Sequence, residues 1–353
     1  GPVQVKVIKQ LGKTPEAAPR VEVDLTKAAI DTGVPGVSKP AGRAGKAAFT
    51  YVGDDDGPDL EDLTIESAPL LAKGRISLTR QNAFESASFS QLRLSPGDNL
   101  SKVEIGRDGG VTKLSVRGAV LDARPFIRDL FDAPTPPARG GRGKQNAASA
   151  PDFDLDLDVP ILTGFNSEAL GNSQLKLSRR NGAVRTIAYQ GRIGRADLSI
   201  KQIKQGDGAA IVLQSENGGA TLRFLDLYRR AYGGDLMLQL GAGEGRQPGE
   251  LLLRNFTVRD EPALRRVVGP PGSQGPGALD STGAPAPRID ASDVAFTKLK
   301  AEFVRSASRI DVRDAVLWGQ QVGFTIQGSV DYGRDRVDIG GTFVPGYAFN
   351  NAF

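Results

Sequence analysis

Hydrophobic and polar residues alternate along most of the chain. Residues 153–159 alternate without interruption, and residues 175–178 and 322–327 do the same. Strict alternation is typical of a β-strand with one buried and one solvated face. Gly, Asn or Asp lies between most of these runs, and the pair Asn181-Gly182 is a strong signal for a tight hairpin. The pattern therefore predicts a long antiparallel meander of about twenty short strands.

Three short segments depart from this alternation. Residues 122–132, 220–231 and 261–268 have apolar side chains at helical spacing, such as Phe126 and Leu130 in the first segment. A proline stands near the start of the first and third segments, where a helix tolerates it. We expect three short helices that cap the ends of a sheet.

About twenty strands are more than one compact open sheet usually holds, so the sheet must close, split or run on. We expect a mainly β fold: a long antiparallel sheet, curved and twisted, that forms an elongated apolar groove similar to a β-taco or jelly roll. The candidate groove residues are Phe153, Leu155, Leu157, Leu175, Leu177, Ile211, Leu213, Val322, Phe324, Ile326, Val337 and Ile339. A trough lined by aliphatic side chains suits acyl chains. The same alternation also fits a dry sandwich core that its own side chains fill.

Two stretches, residues 133–150 and 269–287, are rich in Pro, Gly and small polar residues. Such composition is typical of flexible linkers or loops. They divide the chain into β segments at residues 1–132, 151–268 and 288–353. Because the strand pattern resumes unchanged after each stretch, we predict surface loops inserted into one continuous sheet.

The amino-acid composition excludes several kinds of catalytic and metal-binding site. The 353 residues include no cysteine and no histidine, so disulfides, thiolate metal sites and the commonest general base are unavailable. We therefore predict a protein that is not an enzyme and that has no cofactor or metal. The net charge of +4 and the aromatic content of 6% do not match a nucleic-acid-binding surface.

Two acidic clusters have alternative interpretations. The cluster at residues 54–62 has carboxylates of the kind that bind Ca²⁺, but it lacks the full spacing of a calcium loop, so we interpret it as an exposed acidic turn. Asp152, Asp154, Asp156 and Asp158 lie on one face of a strand. We interpret this ladder as a solvated face that pairs with Lys176, Arg179 or Arg180 across a hairpin.

The C-terminal residues resemble a known family. Residues 327–351 (QGSVDYGRDRVDIGGTFVPGYAFNN) are similar to the C-terminal region of AsmA-like proteins, in which a G-x-(I/V)-D strand precedes an L-x-G-T-x-V-P strand and an LNN segment. Residues 220–240 and 250–268 also look like that region. Residues 21–51 look like the central strands of its YhdP-type members.

The resemblance to the AsmA, TamB and YhdP types implies a Gram-negative periplasmic protein. It implies a bridge-like lipid transfer protein that binds phospholipid acyl chains, moves phospholipid between the inner and outer membranes, and supports outer-membrane integrity. Gly1-Pro2 looks like the remnant of a removed tag, so we expect that the natural N-terminus is missing. The resemblance implies an inner-membrane anchor in that missing part. The alternative is a TamB-like scaffold for outer-membrane protein biogenesis, with a protein partner in the periplasm or outer membrane.

Overall fold

The computed structural model describes residues 2–9, 18–31, 34–53, 57–131, 152–181, 183–206, 208–243, 245–268, 292–306, 308–320, 322–331, 333–334 and 336–345. Strands account for 70% and helices for 6%, which confirms the mainly β fold with one long sheet and a few short helices. The predicted loops at 133–150 and 269–287 lie outside the described residues, and so does the centre of the acidic cluster, residues 54–56.

Within the described part, nineteen strands hydrogen-bond into one sheet and two short strands form a separate pair. The strands before the first helix are β1 (Gln4–Ile8), β2 (Arg20–Asp24), β3 (Ile30–Asp31), β4 (Ser38–Lys39), β5 (Lys46–Gly53), β6 (Pro58–Ser67), β7 (Leu70–Leu78), β8 (Phe84–Arg93), β9 (Asn99–Asp108) and β10 (Val111–Asp122). Helix α1 (Arg124–Phe131) follows. The next elements are β11 (Phe153–Thr163), β12 (Ala169–Arg180), β13 (Ala183–Ile193), β14 (Ala196–Gln205), β15 (Gly208–Ser215) and α2 (Gly218–Phe224). The chain continues with β16 (Ala231–Ala242), β17 (Gln247–Arg259), α3 (Pro262–Val268), β18 (Asp293–Ser306), β19 (Arg309–Trp318), β20 (Val322–Asp331) and β21 (Arg336–Pro345).

Pairing in the large sheet follows chain order. β1 pairs with β2 and β2 with β5, and each later strand pairs with the next. β10 and β11 depart from the antiparallel order, because they pair in parallel, with Thr112 opposite Phe153. β17 and β18 pair directly although residues 269–287 separate them in sequence, with Val258 opposite Val294.

The chain divides into two compact units. The first contains residues 1–129, 145–163 and 170–186, and the second contains 130–144, 164–169 and 187–353. In both units, the longer connections lie at one end of the strands, which we name the helix rim. Helix α1 lies at this end in the first unit, and α2 and α3 lie there in the second. The turns at 79–83 and 109–110 in the first unit, and residues 243 and 245–246 in the second, lie at the opposite end of their own unit, the turn rim.

The core of each unit lies beside its helix rim. In the first unit, Leu100, Val116 and Val159 are buried in one cluster, and Phe126 of α1 packs against it. In the second unit, Leu222 of α2 and Leu264 of α3 join the core cluster of the sheet. The helices therefore cover the apolar sheet residues nearest to them.

Two of the predicted helices, α1 and α3, match their expected segments closely. The helix expected at residues 220–231 is shorter than predicted: α2 ends at Phe224, and β16 begins at Ala231. The chain leaves the helix because Asp226 adopts a left-handed conformation, with φ of 57°. At the start of α2, the Asn217 side chain accepts a hydrogen bond from the backbone N–H of Ala220, at 3.1 Å.

Candidate functional site

The strand register aligns apolar side chains into rows that cross the second unit. We count the rows from the helix rim, on the sheet face that carries the core cluster, and call that face the apolar face. The first row is Leu198, Ser215, Leu236, Leu253, Leu299, Leu317, Phe324 and Phe343. The second is Ile200, Leu213, Leu238, Leu251, Ala301, Ala315 and Ile326. The third is Gln202, Ile211, Leu240, Gly249 and Phe303.

Along β16 and β17, exposure on the apolar face increases away from the helix rim. Leu236 and Leu253 in the first row are 4% and 1% exposed, whereas Leu238 and Leu251 in the second row are only half-buried. At the last strand the gradient ends in Val337, which is 66% exposed. The apolar face is therefore sealed along the helix rim and increasingly open toward the turn rim.

The first unit has the same gradient. Leu157 in β11 is buried, while Leu155 and Phe153, which follow toward the turn rim, are half-buried. In β9, Val103 is buried and Ile105 is half-buried. The open part of the apolar face is thus a property of each unit.

Few elements are available to cover this face. Among the described residues, only the three helices and the β3–β4 pair lie outside the large sheet. A sheet normally buries its apolar face against a second layer. The helices supply that layer at the helix rim, and no second sheet is described over the second and third rows.

Left-handed residues inside strands keep the apolar face continuous. Asn255 in β17 has φ of 53° and lies between Leu253 and Phe256, which are three positions apart and are both buried in the same cluster. Asp62 in β6 has φ of 50° and lies between Leu60 and Leu63, where the register with β7 shifts. A left-handed residue changes the side-chain alternation locally. These positions were missed in the sequence, where an Asn or Asp inside a strand was their only signal.

The twelve predicted groove residues occupy three different environments. Leu157, Leu213 and Val322 are buried in the core clusters. Val337 and Ile339 on β21 are exposed, at 66% and 49%. The remaining seven are half-buried: Phe153, Leu155, Leu175, Leu177, Ile211, Phe324 and Ile326. Within the second unit, the register places Ile211, Leu213, Phe324 and Ile326 on the apolar face.

The aspartate ladder of β11 lies on the opposite face, where Asp154 and Asp156 pair with basic side chains, Asp156 with Arg117 at 2.8 Å. Asp154 contacts Arg180 at 2.8 Å and Lys113 at 3.4 Å, and it accepts a hydrogen bond from Ser178. The Arg180 guanidinium, helped by the Ser178 hydroxyl, holds the pKa of Asp154 well below its usual range. Arg180 was a predicted partner. Lys113 was not, because only the β10–β11 pairing brings it close.

One cavity of the first unit belongs to this polar face. It has a volume of about 700 Å³, and Glu104, Lys113, Asp154 and Lys176 are among its lining residues. These side chains alternate along their strands with the apolar positions, so they point away from the apolar face. A furrow with mixed charges in ion pairs offers no uniform field for one charged ligand.

Comparison with family models, curated proteins and solved structures gave no match for this chain. The resemblance of residues 327–351 to AsmA-like proteins therefore remains a hypothesis. None of the described helices has the length and apolarity that a membrane-spanning helix requires.

Proposed function

We propose that the protein is a lipid-binding groove protein that holds phospholipid acyl chains on its apolar face. In this proposal it belongs to the AsmA-like type, works in the periplasm from an inner-membrane anchor, and carries phospholipid between the inner and outer membranes without catalysis. The observation that carries the proposal is that most residues of the second row and all residues of the third row are half-buried, while no second sheet is described over them.

The dimensions of the rows suit acyl chains. At about 4.8 Å between neighbouring strands, the steps from Ile200 to Ile326 cover roughly 29 Å. One leaflet of a bilayer has a hydrocarbon thickness of roughly 15 Å, half of a 30 Å core. An acyl chain lying across the strands therefore fits along the second row of this unit.

The chemistry of the rows also suits acyl chains. Most positions in the second row are Leu, Ile or Ala, which offer apolar area without directional bonds. Each methylene group that leaves water for such a surface contributes about 0.8 kcal/mol. An acyl chain thus binds firmly and still slides between equivalent positions along the row, as a transport groove requires.

Native mass spectrometry of the purified protein, with extraction and identification of bound lipid, tests this proposal. We expect phospholipid at fixed stoichiometry in the natural chain, and loss of that lipid in Ile326→Asp, which places a charge in the second row. Gln327→Asp is the matched control, because Gln327 is exposed on the opposite face of the same strand. Its lipid content should stay unchanged.

A lipid-free protein, or equal loss in both variants, would contradict the proposal. The second candidate function, a scaffold for outer-membrane protein assembly, would then take precedence. The observation that favours it is the exposure of the end strands, since every residue of β1 is exposed.

A further inference from the structure

The third row of the second unit ends in polar side chains at β14. Along this strand, Leu198, Ile200, Gln202 and Lys204 follow each other on the apolar face from the helix rim to the turn rim. Gln202 lies opposite Ile211, and Ile211 lies opposite Leu240. An apolar row thus leads to a carboxamide, and the next position on the same face is an ammonium group.

Gln202 has an unusual environment for an amide. Its Oε1 atom is buried and has no hydrogen-bond partner within the described part of the chain. A buried acceptor without a donor is unfavourable, and most buried polar atoms have a partner. The neighbouring Ile200 and Ile211 are aliphatic, so they offer it no hydrogen-bond donor.

Lys204, in contrast to Gln202, lies in an open environment. Its side chain is exposed at the turn rim, and no carboxylate of the described residues forms an ion pair with it. Its opposite residue on β15 is Ala209, which leaves space above it. A cation beside an apolar surface attracts an anionic head group and contributes about 1 kcal/mol.

We propose that Gln202 and Lys204 form the head-group site of the groove, for an anionic amphiphile that carries a hydrogen-bond donor next to its acyl chain. Oε1 is covered in the lipid-free structure, so the carboxamide turns toward the groove and its Oε1 accepts a hydrogen bond from the donor, a hydroxyl or an N–H. The anionic group pairs with the Lys204 ammonium, and the chain continues over Ile211 and Leu240. This inference rests on the proposed lipid-binding function and adds the class of lipid and its orientation.

Three single-chain probes separate the two contacts. Oleoyl-lysophosphatidylglycerol has both an anion and a hydroxyl donor, oleate has the anion alone, and oleoyl-lysophosphatidylcholine has the hydroxyl without net charge. Their dissociation constants are measured below the micelle concentration, by displacement of a fluorescent fatty acid from the full chain. We expect lysophosphatidylglycerol to bind most tightly.

Two substitutions then assign each contact. Lys204→Met should weaken lysophosphatidylglycerol and oleate roughly fivefold while leaving lysophosphatidylcholine unchanged. Gln202→Leu should weaken both lysophospholipids roughly fivefold and leave oleate unchanged. Gln202→Leu should also raise the Tm of the lipid-free protein, because it removes the unsatisfied acceptor. A residue that is merely structural would lower the Tm.

Lys201→Met is the control, since Lys201 lies on the opposite face of β14, across from Val212. It should change none of the three constants. If all three probes bind equally, or if both substitutions leave their ratios unchanged, the head-group site is wrong although the groove remains. If no probe binds at all, the proposed function itself fails.

Discussion

At the residue scale, Lys39 shows how a charge can serve the fold. The side chain is only 6% exposed, and its ammonium donates to the backbone carbonyls of Ala28 at 2.7 Å and of Thr26 and Pro40 at 3.3 Å. Three donors thus meet three acceptors in the connection between β2 and β5. The charge is satisfied by carbonyl dipoles.

Replacing this lysine should weaken the first unit. We expect Lys39→Met to lower the free energy of unfolding by about 2 kcal/mol, because three carbonyls lose a charged donor. Urea denaturation measures the change. Lys46→Met is the control: its side chain is 72% exposed in a surface pair with Glu66, so its effect should stay within about 0.5 kcal/mol. Equal effects of the two substitutions would show that the carbonyl contacts contribute nothing.

At the element scale, β17 depends on one left-handed residue. Asn255 allows Leu253 and Phe256 to reach the same cluster, and the Phe256 ring stacks on Phe296 of β18 with centroids 5.5 Å apart. Asn tolerates φ of 53° better than most residues, and a β-branched residue does so poorly. The strand therefore needs Asn or Gly at this position.

A pair of substitutions tests this requirement. Asn255→Val should destabilise the protein by about 1–2 kcal/mol through backbone strain. Asn255→Gly should be nearly neutral, because glycine adopts positive φ readily. Thermal unfolding by circular dichroism distinguishes them. If valine were tolerated as well as glycine, the left-handed conformation would not matter to the stability of β17.

At the scale of the whole molecule, the long sheet leaves apolar residues exposed at its last described strand. Val337 and Ile339 on β21 point to the same face, at 66% and 49% exposure. Exposed apolar edge strands are prone to pair with other chains. We expect self-association through β21 at high protein concentration.

The double variant Val337→Lys and Ile339→Lys should reduce that association, as measured by sedimentation velocity over a concentration series. Asp338→Lys is the control with the same change of charge, since Asp338 lies between them on the other face of the strand. If this control reduces association equally, net charge rather than the apolar edge is responsible.

The sequence by itself determined the class of fold. Alternation in β11, β12 and β20 and the turn residues between strands were enough to predict a mainly β chain, because side-chain direction in a strand has a period of two residues. The spacing of apolar residues also predicted α1 and α3. These are local properties, which neighbouring residues decide among themselves.

Only the tertiary structure decided which residues meet across strands. The parallel pairing of β10 with β11 brings Lys113 to Asp154, and the register of β14 with β15 brings Gln202 opposite Ile211. It also distinguished Val322, which is fully buried at the helix rim, from Val337, which is exposed near the turn rim. The alternation in the sequence predicts which face of the sheet a side chain lies on. Whether that side chain is buried depends on the element that packs against this face, and here those elements are helices that are distant in sequence.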